Sequence, residues 1–559
     1  MTPAAPSIPE RKIVYQLTRF RLNRGVAICL AIILNLMYFG VTAFLASEKL
    51  IWQDELFTLY IIRAGGWQDL WQALRLGADQ HPPIFYWVTA QLMDTFGATH
   101  VTVRLPAIAG FWVMCVCVFC FVARRTSAWY GLVAALLPLV CTYKYAYEAR
   151  GYGPALGCCG AALALWQSAR DPSYVAVKRI GIAAALALAV CWHYYAILMV
   201  VPLAVGETIR SLRRGIDWGM WAAFTAPAIP IALFLPVIEG AQSLSSSFWA
   251  RPTLPQLVLF PVELLSAAAV PCSIALVILI VCLTWWPNLR GSLKNSTERL
   301  SIPVDEIAAA AALAFLPMLL WLVAMTITNG YHVRYALWSI AGFSILLAFG
   351  LYRAFEASPF VAVLFCASFL VWFGLQSASA LVTHRATKIM LERTAAFLEK
   401  YRKPGVPIVM GHVQAFHDLS FYGPERLRSE VVYVASAELS RKYVRHDTID
   451  RQLPILAGWV PFNVKDYDQF LQTHKEFYLY GHIPRWTWIT QAFEDAGFSS
   501  TVVAVNYDQY LLRVVQPPNS RKETITPGTP PRPVPSLEVN SGSLCDAWLN
   551  DAVCRTVLK

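Results

Sequence analysis

The apolar residues of this chain fall in long blocks, many of them about 17–25 residues, instead of alternating along strands. A helix of about 20 residues can satisfy its own backbone while crossing a ~30 Å hydrocarbon layer, and few other structures can. That pattern restricts the chain to a multi-spanning helical membrane protein. Composition agrees. Hydrophobic residues make up 57% and charged residues 14% of the 559, where soluble domains carry roughly 25% charged, and the mean hydropathy is +0.47. A soluble enzyme is excluded. The net charge of +11 then reports basic cytoplasmic loops and not a nucleic-acid surface. There is no aromatic–basic nucleic-acid motif and no zinc-type cysteine spacing. Eleven of the 13 cysteines lie in apolar blocks, where a thiol behaves as a small buried hydrophobe.

Loop charge orients the spans. The basic segment 1–24, with Arg11, Lys12, Arg19, Arg21 and Arg24, precedes an apolar run over 25–46 and predicts a first span with its N-terminus in the cytoplasm. The segment 47–102 is a structured first outer loop. It holds Asp54, Glu55, an amphipathic stretch Trp67–Leu76, His81-Pro82-Pro83 and an apolar run over 84–97. At 1.5 Å per residue that run is about 21 Å long, too short to cross. Further spans are expected at 103–123, 128–147, 151–169, 180–194, 195–209, 218–237, 271–286, 307–328, 336–352 and 358–380, with a half-polar interfacial stretch at 256–270. This gives about eleven spans. Every turn placed inside is basic: Arg124-Arg125, Arg170 with Lys178 and Arg179, Arg210 with Arg213 and Arg214, Arg290 with Lys294 and Arg299, and Arg353.

The transmembrane domain so defined covers 25–383. From 384 to 515 charge density rises and strand and helix signals alternate, which predicts a small extracytoplasmic α/β domain. Its strands are expected at Val406–Met410, Val431–Val434, Glu476–Tyr480, Thr501–Val505 and Gln509–Val515, and a helix at 488–496. Residues 516–559 read as a proline-rich linker and tail. Cys545 and Cys554 in that tail are a candidate disulfide if their compartment is oxidising.

Unusual polar residues gather at the face expected to be outside. Asp54 and Glu55 follow the first span, His81 lies in the first outer loop, Glu148 and Arg150 end the third span, and Tyr331, His332, Arg334 and Tyr335 end the ninth. Carboxylates at a membrane boundary are costly unless solvated or used. A carboxylate can take a proton from an incoming hydroxyl or amine, arginine matches a phosphate leaving group, and aromatic rings stack on sugars. The set suits transfer from a lipid phosphate.

At these residues the sequence resembles the membrane-embedded GT-C glycosyltransferases, in particular the group of protein O-mannosyltransferases, lipid A aminoarabinose transferases and bacterial Rgt-like sugar transferases. The resemblance rests on Asp54-Glu55, Gln80-His81-Pro82-Pro83-Ile84-Phe85-Tyr86-Trp87, Arg104-Leu105-Pro106, Tyr147-Glu148-Ala149-Arg150-Gly151-Tyr152 and His332-Val333-Arg334-Tyr335. It implies a polyprenyl-phosphate sugar donor and transfer, with inversion, to an acceptor of the cell envelope at the outer face of a bacterial inner membrane. It implies Asp54 as catalytic base or acceptor-orienting carboxylate, with Glu55 beside it and Glu148 as the second acid of the site. It implies Arg334 and Arg150 as holders of the donor phosphate, with His81 where some relatives carry lysine, and Tyr152, Tyr335 and His332 as substrate contacts. A divalent metal on Asp54, Glu148 and His81 stays open, since part of the class works without one.

Plainer readings compete. Glu148 and Arg150 could form a structural ion pair, His193 with Tyr194 and Tyr195 an aromatic belt, and His332 an interfacial contact. Arg104 suits an anchor at a helix start as well as a phosphate contact. Lys144 is the deepest candidate charge and is near enough to a span end to snorkel. His412 and His417 are candidates to flank an acceptor groove in the outer domain. A transporter or lipid flippase would show a similar span count, but places its charges at the midplane and shows repeat symmetry, which this sequence does not.

Overall fold

The structure, a computed structural model, describes residues 24–244, 247–285, 301–482 and 487–516. These divide into two compact units, one running through Met390 together with Gly458–Val460, the other from Leu391 onward without those three residues. The boundary falls inside one continuous helix, Pro359–Tyr401. The basic residues before Arg24, the turn at Arg290–Arg299 and the pair Cys545 and Cys554 lie outside the described residues.

The first unit is a bundle of apolar helices, and the protein is a multi-pass membrane protein. Among the described residues six helices are long and apolar enough to cross a membrane: Gly25–Glu48, Thr102–Ala123, Val175–Trp192, Tyr194–Arg214, Leu254–Trp285 and Pro359–Tyr401. The number becomes eight if two bent pairs are each one span, Trp218–Leu233 with Leu235–Gln242 (66°) and Val304–Ala314 with Leu316–Thr328 (45°). A proline begins the second helix of each pair, at Pro236 and Pro317, where the missing N–H is tolerated. Three other segments expected as spans form shorter helices, Ala128–Cys141, Tyr152–Ser168 and Ser339–Ala354. The expected interfacial stretch at 256–270 is not separate. It belongs to the 32-residue helix Leu254–Trp285, which carries Pro261 and Pro271 inside it.

Small residues let two helices meet at backbone distance. A Cβ added at Gly110 would lie 2.3 Å from the Gly153 carbonyl oxygen, and one at Gly157 would lie 2.6 Å from that of Gly110. Without lipid-specific attraction between apolar helices, such close packing supplies the association energy. It sets Leu105–Ala123 against Tyr152–Ser168, and so fixes the loop 148–151 that precedes the second of them.

Three arginines read as inward-facing charges are not free. Arg125 pairs with Glu306 at 2.6 Å, Arg170 with Asp305 and Glu306, and Arg210 with Asp305 at 3.2 Å and Glu207 at 3.3 Å. Asp305 and Glu306 open the helix Val304–Ala314, where its dipole favours acids. Lys144 is exposed, on the short 3-10 helix Tyr143–Tyr147.

The second unit is an α/β domain with a six-stranded mixed sheet. Its strands are β1 (Ile408–Met410), β2 (Val431–Ala435), β3 (Val464–Asp466), β4 (Glu476–His482), β5 (Ser499–Asn506) and β6 (Gln509–Val515), in the order β3-β2-β1-β4-β6-β5. β1, β2, β3 and β4 run parallel, and β6 pairs antiparallel with both β4 and β5. β1 and β2 are buried at every position, as parallel strands covered on both faces are. β3 was not expected from the sequence, because three residues reading Val-Lys-Asp carry no strand signal. His417 does not line a groove, being fully buried. His412 accepts a hydrogen bond from the Gln414 N–H at the start of the next helix.

Candidate active site

The site is built from chain turns at one end of the bundle. Leu50 and Ile51 lead from the first helix to Gln53–Arg63, whose first turn holds Asp54 and Glu55. Pro83 opens the helix Pro83–Phe96 and so fixes the backbone of Asp79 and His81 just before it. Glu148 caps the 3-10 helix Tyr143–Tyr147. His332 opens the 3-10 turn Val333–Ala336, with its Nδ1 accepting from the Arg334 N–H at 3.2 Å. These turns, with the helix start at Tyr152, bring together Asp54, Glu55, His81, Glu148, Arg150, Tyr152, His332, Arg334 and Tyr335.

The Arg334 Nη1 donates to the Asp54 Oδ2 at 2.7 Å. Asp54 keeps 19% of its side-chain surface exposed and Arg334 13%, so the pair is open on one side. The Arg334 guanidinium also lies over the rings of Trp249 at 5.5 Å and Tyr335 at 5.6 Å, which hold it by cation–π attraction.

Arg150 joins the second group. It donates to the Asp54 carbonyl at 2.9 Å, to the two oxygens of Asp79 at 2.5 and 3.1 Å, and to His81 Nδ1 at 3.0 Å. Burial pushes the Asp79 carboxyl up, but Arg150 outweighs it and holds the group well below the usual carboxylate range. Tyr86 donates to Asp79 at 2.8 Å. Arginine can only donate, so His81 accepts at Nδ1 and carries its proton on Nε2. Burial first and Arg150 second bring its pKa down to about 4, so the ring is neutral at neutral pH. Asp79 was missed by the sequence reading, and its place two residues before His81-Pro82-Pro83 was the available signal.

Glu55 is structural in its surroundings. It is fully buried and takes hydrogen bonds from Arg104 Nε at 2.7 Å, Arg104 Nη2 at 2.6 Å and the Ala149 N–H at 2.6 Å. Lys49 lies 3.4 Å away. Burial raises its pKa, and Arg104 and Lys49 overcome that and bring it down to about 2. Both oxygens are occupied, so no site remains for a substrate proton. Arg104 anchors this end of the first helix through the carbonyls of Ala46, Lys49 and Leu50. The plain reading of Arg104 as an anchor therefore fits the geometry better than a phosphate contact.

Glu148 differs. It is buried, and among the described residues its Oε1 has no hydrogen-bond partner. Burial raises its pKa, with Lys49 opposing. It does not pair with Arg150, whose partner is Asp79. Tyr152 is buried with its ring 5.6 Å from His81 and 5.3 Å from His193. His193 is no surface belt: it is buried among Tyr152, Tyr195, Tyr335 and Trp338. A Cβ at Gly151 would lie 2.2 Å from the Trp192 carbonyl, so only glycine lets this turn approach so closely. Burial first and Arg334 second bring the pKa of His332 down to about 4.

Asp54, Glu148 and His81 do not form a metal site. Among the described residues no group of three or more histidine, cysteine or acidic side chains is arranged to hold a metal ion, and His81 Nδ1 is taken by Arg150.

Residues 80–238 match the family model described as dolichyl-phosphate-mannose-protein mannosyltransferase. The match covers less than a third of the chain, and over it the chain is similar to that family. The structures it is similar to include crystal structures of ArnT from Cupriavidus metallidurans. The apo form gives a TM-score of 0.53 at 12% identity, covering 87% of this chain and 98% of that one. The form bound to undecaprenyl phosphate gives 0.51 at 13% identity with the same coverage. At such identity the likeness is one of fold. In sequence the chain has no significant match among curated proteins.

Proposed function

We propose that this protein transfers a glycosyl group from a polyprenyl-phosphate sugar to an acceptor of the bacterial cell envelope, at the periplasmic side of the inner membrane and with inversion. The observation that carries this reading is the half-open Asp54–Arg334 pair beside Arg150. An arginine held on a carboxylate and two aromatic faces offers its remaining N–H groups to a phosphate. The undecaprenyl phosphate of the similar ArnT structure is a ligand of that chemistry.

In the reaction the acceptor hydroxyl or amine attacks the anomeric carbon while the bond from that carbon to the phosphate oxygen breaks. The proton passes to Asp54 and the lipid phosphate leaves with the electron pair. Arg334 offsets the growing phosphate charge. Arg150, locked by Asp79, holds the backbone of Asp54 in place and adds positive potential. Glu148, with its unpartnered oxygen, serves the acceptor. The ionisable residues of the site gather at one end of the bundle and a second set pairs at the basic turns around Asp305 and Glu306, so a transporter with midplane charges is not favoured.

The test is transfer by purified, detergent-solubilised protein. Radiolabelled polyprenyl-phosphate sugars are offered with crude envelope acceptors, to wild type and to Asp54→Asn. Labelled product from one donor, lost in the variant, supports the reading. No transfer from any donor by folded protein overturns it.

A further inference from the structure

Beside the phosphate-directed arginines lies a patch the reaction above leaves unused. Three buried polar atoms there have no hydrogen-bond partner among the described residues: His81 Nε2, His193 Nδ1 and Trp338 Nε1. Their residues are 5%, 6% and 2% exposed. The two imidazoles stand edge to face with centroids 5.4 Å apart, and His193 lies 5.5 Å from Trp338. Tyr152 and Tyr335 complete the aromatic surround. Buried polar atoms are almost always paired, because an orphan forfeits its hydration without return. Three orphans on touching side chains mark a place where the partner is a ligand.

The chemistry of the patch narrows that ligand. His81 Nε2 carries the proton, since Arg150 fills Nδ1, and Trp338 Nε1 is a donor only. His193 supplies a third polar atom, and the rings present faces suited to the C–H side of a sugar. The patch carries no net charge of its own. Burial first, then His81, Arg150 and Arg334, hold His193 well below its ordinary pKa. An ammonium group here would meet the positive potential of the same two arginines. A carboxylate would have to compete with the donor phosphate for Arg334, because Arg150 is committed to Asp79. Glu148, the acid with an open oxygen, interacts with Lys49, Glu55, Asp54 and Arg334.

We infer that His81, His193 and Trp338 bind the sugar of the lipid-linked donor, and that this sugar is uncharged, presenting hydroxyls where it meets them. The inference rests on the glycosyl-transfer reading and names the substrate class for it.

The experiment is equilibrium binding to the full-length protein in detergent, by competition against labelled undecaprenyl phosphate. The competitors are undecaprenyl phosphate without sugar and undecaprenyl phosphate carrying glucose, mannose, galactose, 4-amino-4-deoxyarabinose or glucuronate. One of the neutral hexose lipids is expected to bind about tenfold tighter than the sugar-free lipid, as two added hydrogen bonds of ordinary strength would give. His193→Phe keeps a packed ring but no nitrogen. It is expected to lose that tenfold gain while binding sugar-free undecaprenyl phosphate as wild type does, which also shows that it is folded. His193→Gln restores part of the gain. Preference for the amino sugar or the glucuronate overturns the inference, as does equal binding of loaded and sugar-free lipids, or an equal loss of both in His193→Phe. If no undecaprenyl phosphate lipid binds the wild type at all, the glycosyl-transfer reading itself fails.

Discussion

Arg334 reaches back across 280 residues of sequence to hold the Asp54 carboxylate at 2.7 Å. Each keeps one side open to a ligand. The pair couples the proposed base to the proposed phosphate holder, so the two act as one unit and their substitutions will not add.

Asp54→Asn is expected to abolish transfer, at least a thousandfold in kcat, because the amide cannot take the acceptor proton. The side chain keeps its size and a partly exposed position, so the thermal unfolding midpoint should move by only a few degrees. Transfer above a tenth of wild type in the purified variant would remove Asp54 from the proton-accepting role.

Arg334→Ala is expected to lower kcat/KM for the lipid donor about a hundredfold, the loss of a charge-assisted contact that strengthens as phosphate leaves. Steady-state kinetics at varied donor checks this. An unchanged kcat/KM would show that the phosphate is held elsewhere.

Asp79→Asn is expected to act through Arg150. The amide pairs with it more weakly, so the guanidinium and the Asp54 backbone loosen and kcat/KM falls about tenfold. Rescue by Asp79→Glu to within a few-fold would distinguish positioning from a simple loss of folding.

Glu55 and Arg104 make a structural prediction with a pH signature. Arg104→Ala leaves a buried, poorly paired carboxylate and should cost about 3–5 kcal/mol. The double variant Glu55→Leu with Arg104→Met should be much milder. The Glu55 pKa falls from an ordinary 4.5 to about 2 in the fold. Its contribution to stability is therefore complete above pH 4.5 and disappears as pH falls toward 2. Melting curves of wild type should steepen in acid over that range more than those of the double variant.

Asp450 carries the opposite sign in the sheet domain. Its buried carboxyl lies 3.1 Å from the Tyr433 hydroxyl, and burial raises its pKa from 3.8 to about 7. The folded state then binds the proton more tightly than the unfolded one. Stability from this group is complete below pH 3.8 and is lost as pH rises to about 7. Asp450→Asn should flatten that part of the stability profile in the full-length protein.

Much of the site was legible in the sequence because its chemistry is carried by short runs beside span ends: Asp54-Glu55, His81-Pro82-Pro83, Glu148 to Tyr152, and His332 to Tyr335. A charged residue at such a boundary is expensive, so its presence points to use or to pairing. The sequence did not say which of the two applied. Asp54 and Glu55 are neighbours of identical chemistry, yet one lies half open against Arg334 and the other is enclosed by Arg104, Lys49 and a backbone N–H. Asp79 carried no motif of its own, and His193 looked like a belt residue. Their places depend on Arg150 and on rings brought in from distant turns.

By itself the sequence determined that the chain crosses a membrane many times and that a separate α/β unit follows. Both are read from local quantities, the length of apolar runs and the change in charge density, and water and lipid enforce them residue by residue. Tertiary structure alone decided where the long helix Leu254–Trp285 continues past its prolines, which acid each arginine neutralises, and which buried nitrogens are left unpaired. Those outcomes depend on distances between residues tens to hundreds of positions apart. Ion pairing and desolvation change steeply over a few ångströms, and no local pattern in the sequence records those distances.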